Sequence, residues 1–222
     1  MLAKSRLFRL IMAGCAQFVL LTLLAMLVYA GGNAENPDAP GYQFFRNFFS
    51  DLGLTIAYNG EANTASFLLF TIALSLAGLS LIVFFILMPR FFKQDKMALA
   101  LTWLGSLAGL VAGACFIGVA FTPANLLMQA HVNFVFGAFG SYFVAVLFYV
   151  AAMFKLPTFP RVYQLVLLAF AFILGGYVWL LFNGPENLTI QVTGQKIIAY
   201  ASITTVFIQA YGAWQKERPT AG

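Results

Sequence analysis

Charge is scarce in this chain: 9% of its 222 residues are charged, and only seven are acidic. A soluble domain averages about 25% charged residues, so an ordinary water-facing globular surface is excluded. Histidine occurs once, at His131, which rules out a site that needs several histidines on one metal. The two cysteines, Cys15 and Cys115, both sit inside apolar runs. A thiol there behaves as a small hydrophobe, and no disulfide framework or zinc site follows. No metal and no cofactor is implied. The net charge of +5 is explained by membrane topology, and nucleic acid is not an expected partner.

Apolar residues, by contrast, make up 62% of the chain. They fall into six uncharged runs: Leu10–Ala30, Ala62–Pro89, Met97–Phe121, Val132–Phe154, Val162–Phe182 and Ile197–Trp214. Crossing about 30 Å of hydrocarbon takes roughly 20 residues. The last run is short, so its helix is expected to begin upstream, with Lys196 snorkelling toward the interface. Lys4, Arg6 and Arg9 followed by Val28-Tyr29-Ala30 look like a secretory signal. The first apolar run is longer than the usual core of about 7–15 residues in such signals, so an uncleaved first helix is expected. No repeat or linker divides residues 1–222. The expected fold is all-α and integral to the membrane: one domain, a six-transmembrane-helix bundle.

Basic residues orient that bundle. Ten of the twelve belong to the two termini and to the second and fourth connections: Lys4, Arg6, Arg9, Arg90, Lys93, Lys96, Lys155, Arg161, Lys216 and Arg218. Only Arg46 and Lys196 fall at the other end. Asp95 and Glu217 accompany the basic majority, and Glu35, Asp38, Asp51, Glu61 and Glu186 lie opposite. Excess Lys and Arg marks the cytoplasmic side. Both termini are therefore expected in the cytoplasm, with the chain in the cell (inner) membrane and its basic face on anionic lipid. Membrane lipids are the expected partners. A partner membrane subunit or a second copy of the chain is left open.

The connection between the first two runs is long, and connections of that length are usually functional or disordered. Its centre, Tyr42–Gly53, reads YQFFRNFFSDLG. At about 100° per residue, Phe44, Phe45, Phe48, Phe49 and Leu52 share one face, and Gln43, Arg46, Asn47 and Ser50 the other. An amphipathic helix lying on the outer surface of the membrane is expected. Asp51 falls at its border beside Phe44, where a carboxylate needs a partner or an altered pKa. The plain alternative is a solvated capping Asp.

The third run carries Gly105, Gly109 and Gly113 in register. Small residues at that spacing let two helix backbones approach closely in lipid, so this helix is expected at the centre of the bundle. His131 opens the fourth run, and a lone His there is more often a structural hydrogen-bonder than a catalyst. Lys196 opens the sixth, in a stripe with Tyr200 and Thr204. An interfacial anchor to lipid phosphate is the plain reading for that lysine. Asn187-Leu188-Thr189 matches a glycosylation acceptor, which matters only in a eukaryotic secretory context.

Three short motifs look familiar together: SDLG at Ser50–Gly53, FTP-x-N at Phe121–Asn125 ahead of His131, and GQKI at Gly194–Ile197. With the polar stretch through Asn59 and Asn63, they resemble the prokaryotic six-helix membrane family known as domain of unknown function 998. That family is itself loosely similar to the Frag and DRAM-type membrane proteins. The resemblance would cover nearly the whole chain and implies architecture and site positions, but no reaction. Asn125 and Gln195 stand where the family commonly has acids, which puts part of a family site in doubt.

Two functions follow as expectations. One is a lipid- or amphiphile-binding, transport or accessory membrane protein. Its extracytoplasmic polar site would be drawn from Arg46, Asn47, Asp51, Asn63, His131, Lys196 and Tyr200, under the Phe-rich helix. The alternative is a membrane enzyme acting on a lipid headgroup. His131 would be its general acid or base, Asp51 the orienting carboxylate, Lys196 the anion-binding group and Ser50 a nucleophile. Hydrolases similar to alkaline ceramidases are excluded, because they hold zinc on three histidines. A retinal protein is excluded by the helix count and by the position of Lys196.

Overall fold

The apolar runs form six helices in the computed structural model, which describes residues 2–185 and 187–218. They are α1 (Leu2–Leu27), α2 (Thr64–Leu87), α3 (Lys96–Phe121), α4 (Ala124–Lys155), α5 (Arg161–Asn183) and α6 (Leu188–Glu217). Each is long and apolar enough to cross a membrane. Sharp stops separate them. Asp95 caps α3 by accepting from the N–H of Ala98 at 2.8 Å, and Asn187 caps α6 through the N–H of Ile190 at 3.1 Å. Pro123 and Pro160 stand directly before α4 and α5, where the missing N–H is no loss.

The α6 helix begins upstream of its apolar run, as expected: it starts at Leu188, nine residues ahead of Ile197, so Lys196 lies two turns inside it. The first two turns carry the polar residues Gln191, Thr193, Gln195 and Lys196, which is why the apolar run alone is short. The start of α4 differs from the sequence expectation: it begins at Ala124, with Leu127 out of helical geometry (φ −133°, ψ 45°), so His131 is well inside the helix.

Each helix packs on its neighbours in sequence, and α6 returns to pack on α1, closing a ring. Close approaches are concentrated along α3. A Cβ on Gly113 would stand 2.8 Å from the carbonyl oxygen of Gly78 in α2, and one on Gly105 would meet the Tyr149 ring of α4 at 2.8 Å. The glycine stripe therefore serves both neighbours of α3.

Two buried clusters fill the ring. One, at the end that carries the termini, gathers Phe8, Met88, Phe92, Tyr149 and Phe159. There the Arg90 guanidinium lies 4.9 Å from the Phe8 ring centroid and 5.1 Å from that of Phe91, and it meets Glu217 at 3.0 Å. This ties the first and last helices together. The other cluster, at the opposite end, gathers Phe18, Phe49, Leu52, Phe70 and Val119. Residues 28–63, the connection between α1 and α2, cover that end as a cap.

The stretch Tyr42–Gly53 is not one amphipathic helix. It is a turn at 43–47 followed by a five-residue 3-10 helix, Phe49–Gly53. Phe44 and Phe45 are exposed, while Phe49 and Leu52 are buried together with Asn47 and Asp51. The physical reason is hydrogen bonding. The backbone of a cap with little regular structure needs polar partners inside it, and Asn47 and Asp51 turn inward to supply them.

Candidate functional site

Asn47 is the hub of the cap, with no exposed surface. Its Oδ1 accepts from the N–H of Gln43 at 2.9 Å. Its Nδ2 donates to the carbonyl of Gly32 at 2.9 Å and to Asp51 Oδ2 at 3.1 Å. Gly32 reaches that position with φ +79°, and a Cβ there would stand 2.7 Å from both Asn59 N and the Pro37 carbonyl oxygen. Only glycine meets both demands.

Asp51 is almost fully buried, and its Oδ2 also accepts from the N–H of Phe48 at 2.8 Å. Burial pushes its carboxyl up to about 6, against the opposing pull of the Asn47 and Phe48 hydrogen bonds and the Lys196 charge. Lys196 rises from α6 into the cap and is 2% exposed. Its Nζ donates to the backbone carbonyl of Asn47 and lies 5.1 Å from the Phe44 ring centroid and 5.4 Å from that of Tyr42. It does not snorkel out: the cap comes down over it. Among the described residues, no ion pair within 4.0 Å joins Lys196 to Asp51. Asn47 stands between them.

The other candidate residues separate into distinct roles. Asn63 bonds the two ends of the cap, accepting from the N–H of Ala30 at 3.2 Å and donating to the carbonyls of Leu52 and Leu54 at 3.3 and 2.9 Å. Arg46 is outside, paired with Glu35 at 2.6 Å and half exposed. Tyr200 packs edge-on against Phe49, with ring centroids 5.7 Å apart. His131 does not join the Asp51–Lys196 network by any hydrogen bond. Its Nδ1 meets the carbonyl of Thr122 at 2.7 Å, across the turn between α3 and α4. Glu186, expected at this end, lies outside the described residues.

The two positions where the resemblance has acids both hold the cap. Gln195 Oε1 accepts from the N–H of Phe49 at 2.6 Å. Asn125 Oδ1 accepts from the N–H of Thr55 at 3.1 Å while its Nδ2 donates to Thr55 Oγ1 at 2.8 Å.

Below the cap, inside the helix ring, lies a cavity of about 100 Å³. Its walls include Phe18 of α1, Leu74 of α2, Phe116 of α3, Phe139 of α4 and Ala199 of α6. Phe49, Ser50 and Gln195 line its cap side, and Ser202 lies deeper. Sequence reasoning set Ser50 on the polar face of the expected surface helix, as a nucleophile under the enzyme alternative, and missed Ser202 and the cavity itself. A signal existed: Gln195, Ala199, Ser202 and Val206 form one helical stripe, polar at two points. No family model matches the chain, and no curated protein or solved structure matches it.

Proposed function

We propose that this chain is a multi-pass membrane protein of the prokaryotic inner membrane that binds an amphiphile, and that the amphiphile's apolar part occupies the cavity inside the helix ring. The cavity is the observation that carries this reading. At about 100 Å³ it is several times the roughly 10–15 Å³ that one water needs, and its walls are almost wholly apolar. Cavities of that character favour apolar guests over water. Exposed apolar side chains around the ring, such as Leu107, Phe121 and Phe172, support placement in a bilayer. The basic residues gathered at the termini end support an orientation with both termini in the cytoplasm and the cap outside. The motifs SDLG, FTP-x-N and GQKI support kinship with the domain-of-unknown-function 998 family.

The headgroup-enzyme alternative is less well supported. It needs a Ser50–His131 pair, with Asp51 orienting the histidine. His131 Nδ1 is instead engaged by the Thr122 carbonyl, Asp51 by Asn47 and Phe48, and Lys196 by Asn47.

Native mass spectrometry of the protein extracted from its host membrane tests the binding reading. The wild-type chain should carry an amphiphile adduct. Ala199→Phe, which fills the cavity, should lose it while melting as a folded protein, and Ala77→Phe serves if Ala199→Phe does not fold. An adduct retained in the filled, folded variant would overturn the proposal, as would a wild-type protein without one.

A further inference from the structure

We propose that the amphiphile bound in this cavity has an uncharged, oxygen-bearing polar group, an alcohol, ester or ketone, rather than an anionic or cationic head. The inference rests on the binding reading above and deepens it.

The charged residues nearest the cavity do not line it. Lys196 is one residue from Gln195 in sequence, yet its Nζ is held in the cap by the Asn47 carbonyl and the faces of Tyr42 and Phe44. Asp51 follows Ser50 directly, and its carboxylate is turned into the same network. Neither belongs to the cavity wall. A charged head drawn inside would find no opposite charge there, and an unpaired buried ion costs far more than a hydroxyl or carbonyl with one hydrogen bond.

What the wall does offer is neutral donors. The Phe49 backbone N–H is a donor, so the atom of Gln195 facing it at 2.6 Å is the amide oxygen. That leaves the amide's two N–H donors for another acceptor. Ser50 adds a hydroxyl on the same cap-side wall. Ser202 lies seven residues further along α6, about 10 Å deeper at the α-helical rise.

The Ser202 hydroxyl is unusual among those of this bundle. Thr22, Ser80, Thr102 and Ser141 each donate to a carbonyl three or four residues earlier in their own helix. The Ser202 Oγ is buried with no hydrogen-bond partner among the described residues, and its residue lines the cavity. Ser75 has a similarly unpartnered hydroxyl but is not in the cavity wall. A buried hydroxyl left unpaired is costly. A ligand oxygen at that depth would satisfy Ser202.

Photoreactive chains of equal length, ending in an alcohol, a methyl ester, a carboxylate or a trimethylammonium group, test this on the full chain in nanodiscs. Crosslinks are mapped by peptide mass spectrometry. The alcohol and ester should label cavity residues at least about tenfold more than either charged chain. Ser202→Ala should lower their labelling about fivefold, the effect of one neutral hydrogen bond. Equal or stronger cavity labelling by the carboxylate or the ammonium chain would overturn the proposal, as would neutral labelling indifferent to Ser202→Ala. If no probe labels the cavity while the native adduct persists, the neutral-head assignment fails and the binding reading stands. If adduct and labelling are both absent, both fail.

Discussion

Lys196 and Asp51 are joined through one intervening residue. Asn47 accepts the lysine Nζ on its backbone carbonyl and donates its side-chain amide to Asp51 Oδ2 at 3.1 Å. Both charges are buried, so each depends on this bridge and on the other's field. Lys196→Met removes the cation whose charge acts on Asp51 and leaves its carboxylate in the cap. That single change should lower stability by about 2–4 kcal/mol. Adding Asp51→Asn should recover part of the loss, since no orphaned charge remains. Thermal melts of the four proteins in the cycle measure the coupling. Strictly additive shifts would mean that the two residues do not interact through Asn47.

Acidity should act on the same network with a definite sign. The folded Asp51 carboxyl is raised to about 6, against about 3.9 when unfolded. The folded state therefore binds the proton more tightly. The stability this group contributes is fully present below about pH 4 and is lost as the pH rises through about 6, amounting at the limit to about 3 kcal/mol. The other titratable groups around it are Lys196 and the tyrosines Tyr29, Tyr42 and Tyr58. Burial raises all three tyrosines, Tyr58 to about 12, so they stay neutral throughout this range. The melting temperature of the wild-type protein should rise between pH 7 and pH 5 relative to Asp51→Asn. Parallel curves for the two proteins across that interval would refute the assignment.

The six helices were legible because apolar runs of spanning length are read directly from hydropathy. The cap was harder. Asn47 and Asp51 lie four residues apart, and on the expected helix they took opposite roles, one polar and exposed, one bordering the Phe face. In the structure both point inward, because the cap's own backbone needs them. The meeting of Asp51 with Lys196 could be inferred from topology, which sets the first connection and the start of α6 at one end of the bundle. The place of His131 could not, because the turn it bonds at Thr122 is defined only by how α3 and α4 meet. The cavity is a gap left by packing and has no local signature beyond two polar residues on the α6 stripe.

The glycine stripe of α3 should be intolerant in one direction and informative in the other. A Cβ on Gly109 would stand 2.2 Å from the buried Phe85 ring, which packs against the Tyr142 and Tyr149 rings. Gly109→Leu should therefore push α2 from α3 and abolish stable expression, and Gly109→Ala should cost about 1–3 kcal/mol. Gly140 of α4 has nothing within 4 Å of its would-be Cβ, so Gly140→Ala should melt as wild type or slightly higher. Equal melting of the two Ala variants would show that α2 and α3 are not packed as described.

Orientation is tested from the cap. Asp38 is exposed on it, and Gln94 is exposed in the turn between α2 and α3. The chain reverses at each helix, so these positions lie at opposite ends of the ring. In the proposed topology the cap end carries few basic residues and faces out, while Gln94 sits among Arg90, Lys93 and Lys96 and faces the cytoplasm. Single cysteines at the two positions, in a chain whose Cys15 and Cys115 are both replaced by Ala, should respond oppositely to a membrane-impermeant maleimide added to intact cells. Asp38→Cys should label at once, and Gln94→Cys only after the membrane is permeabilised. Labelling of Gln94→Cys from outside would invert the protein and place the cap, with the Lys196–Asn47–Asp51 network, on the cytoplasmic face. Labelling of both positions in intact cells would argue against a membrane-spanning ring altogether.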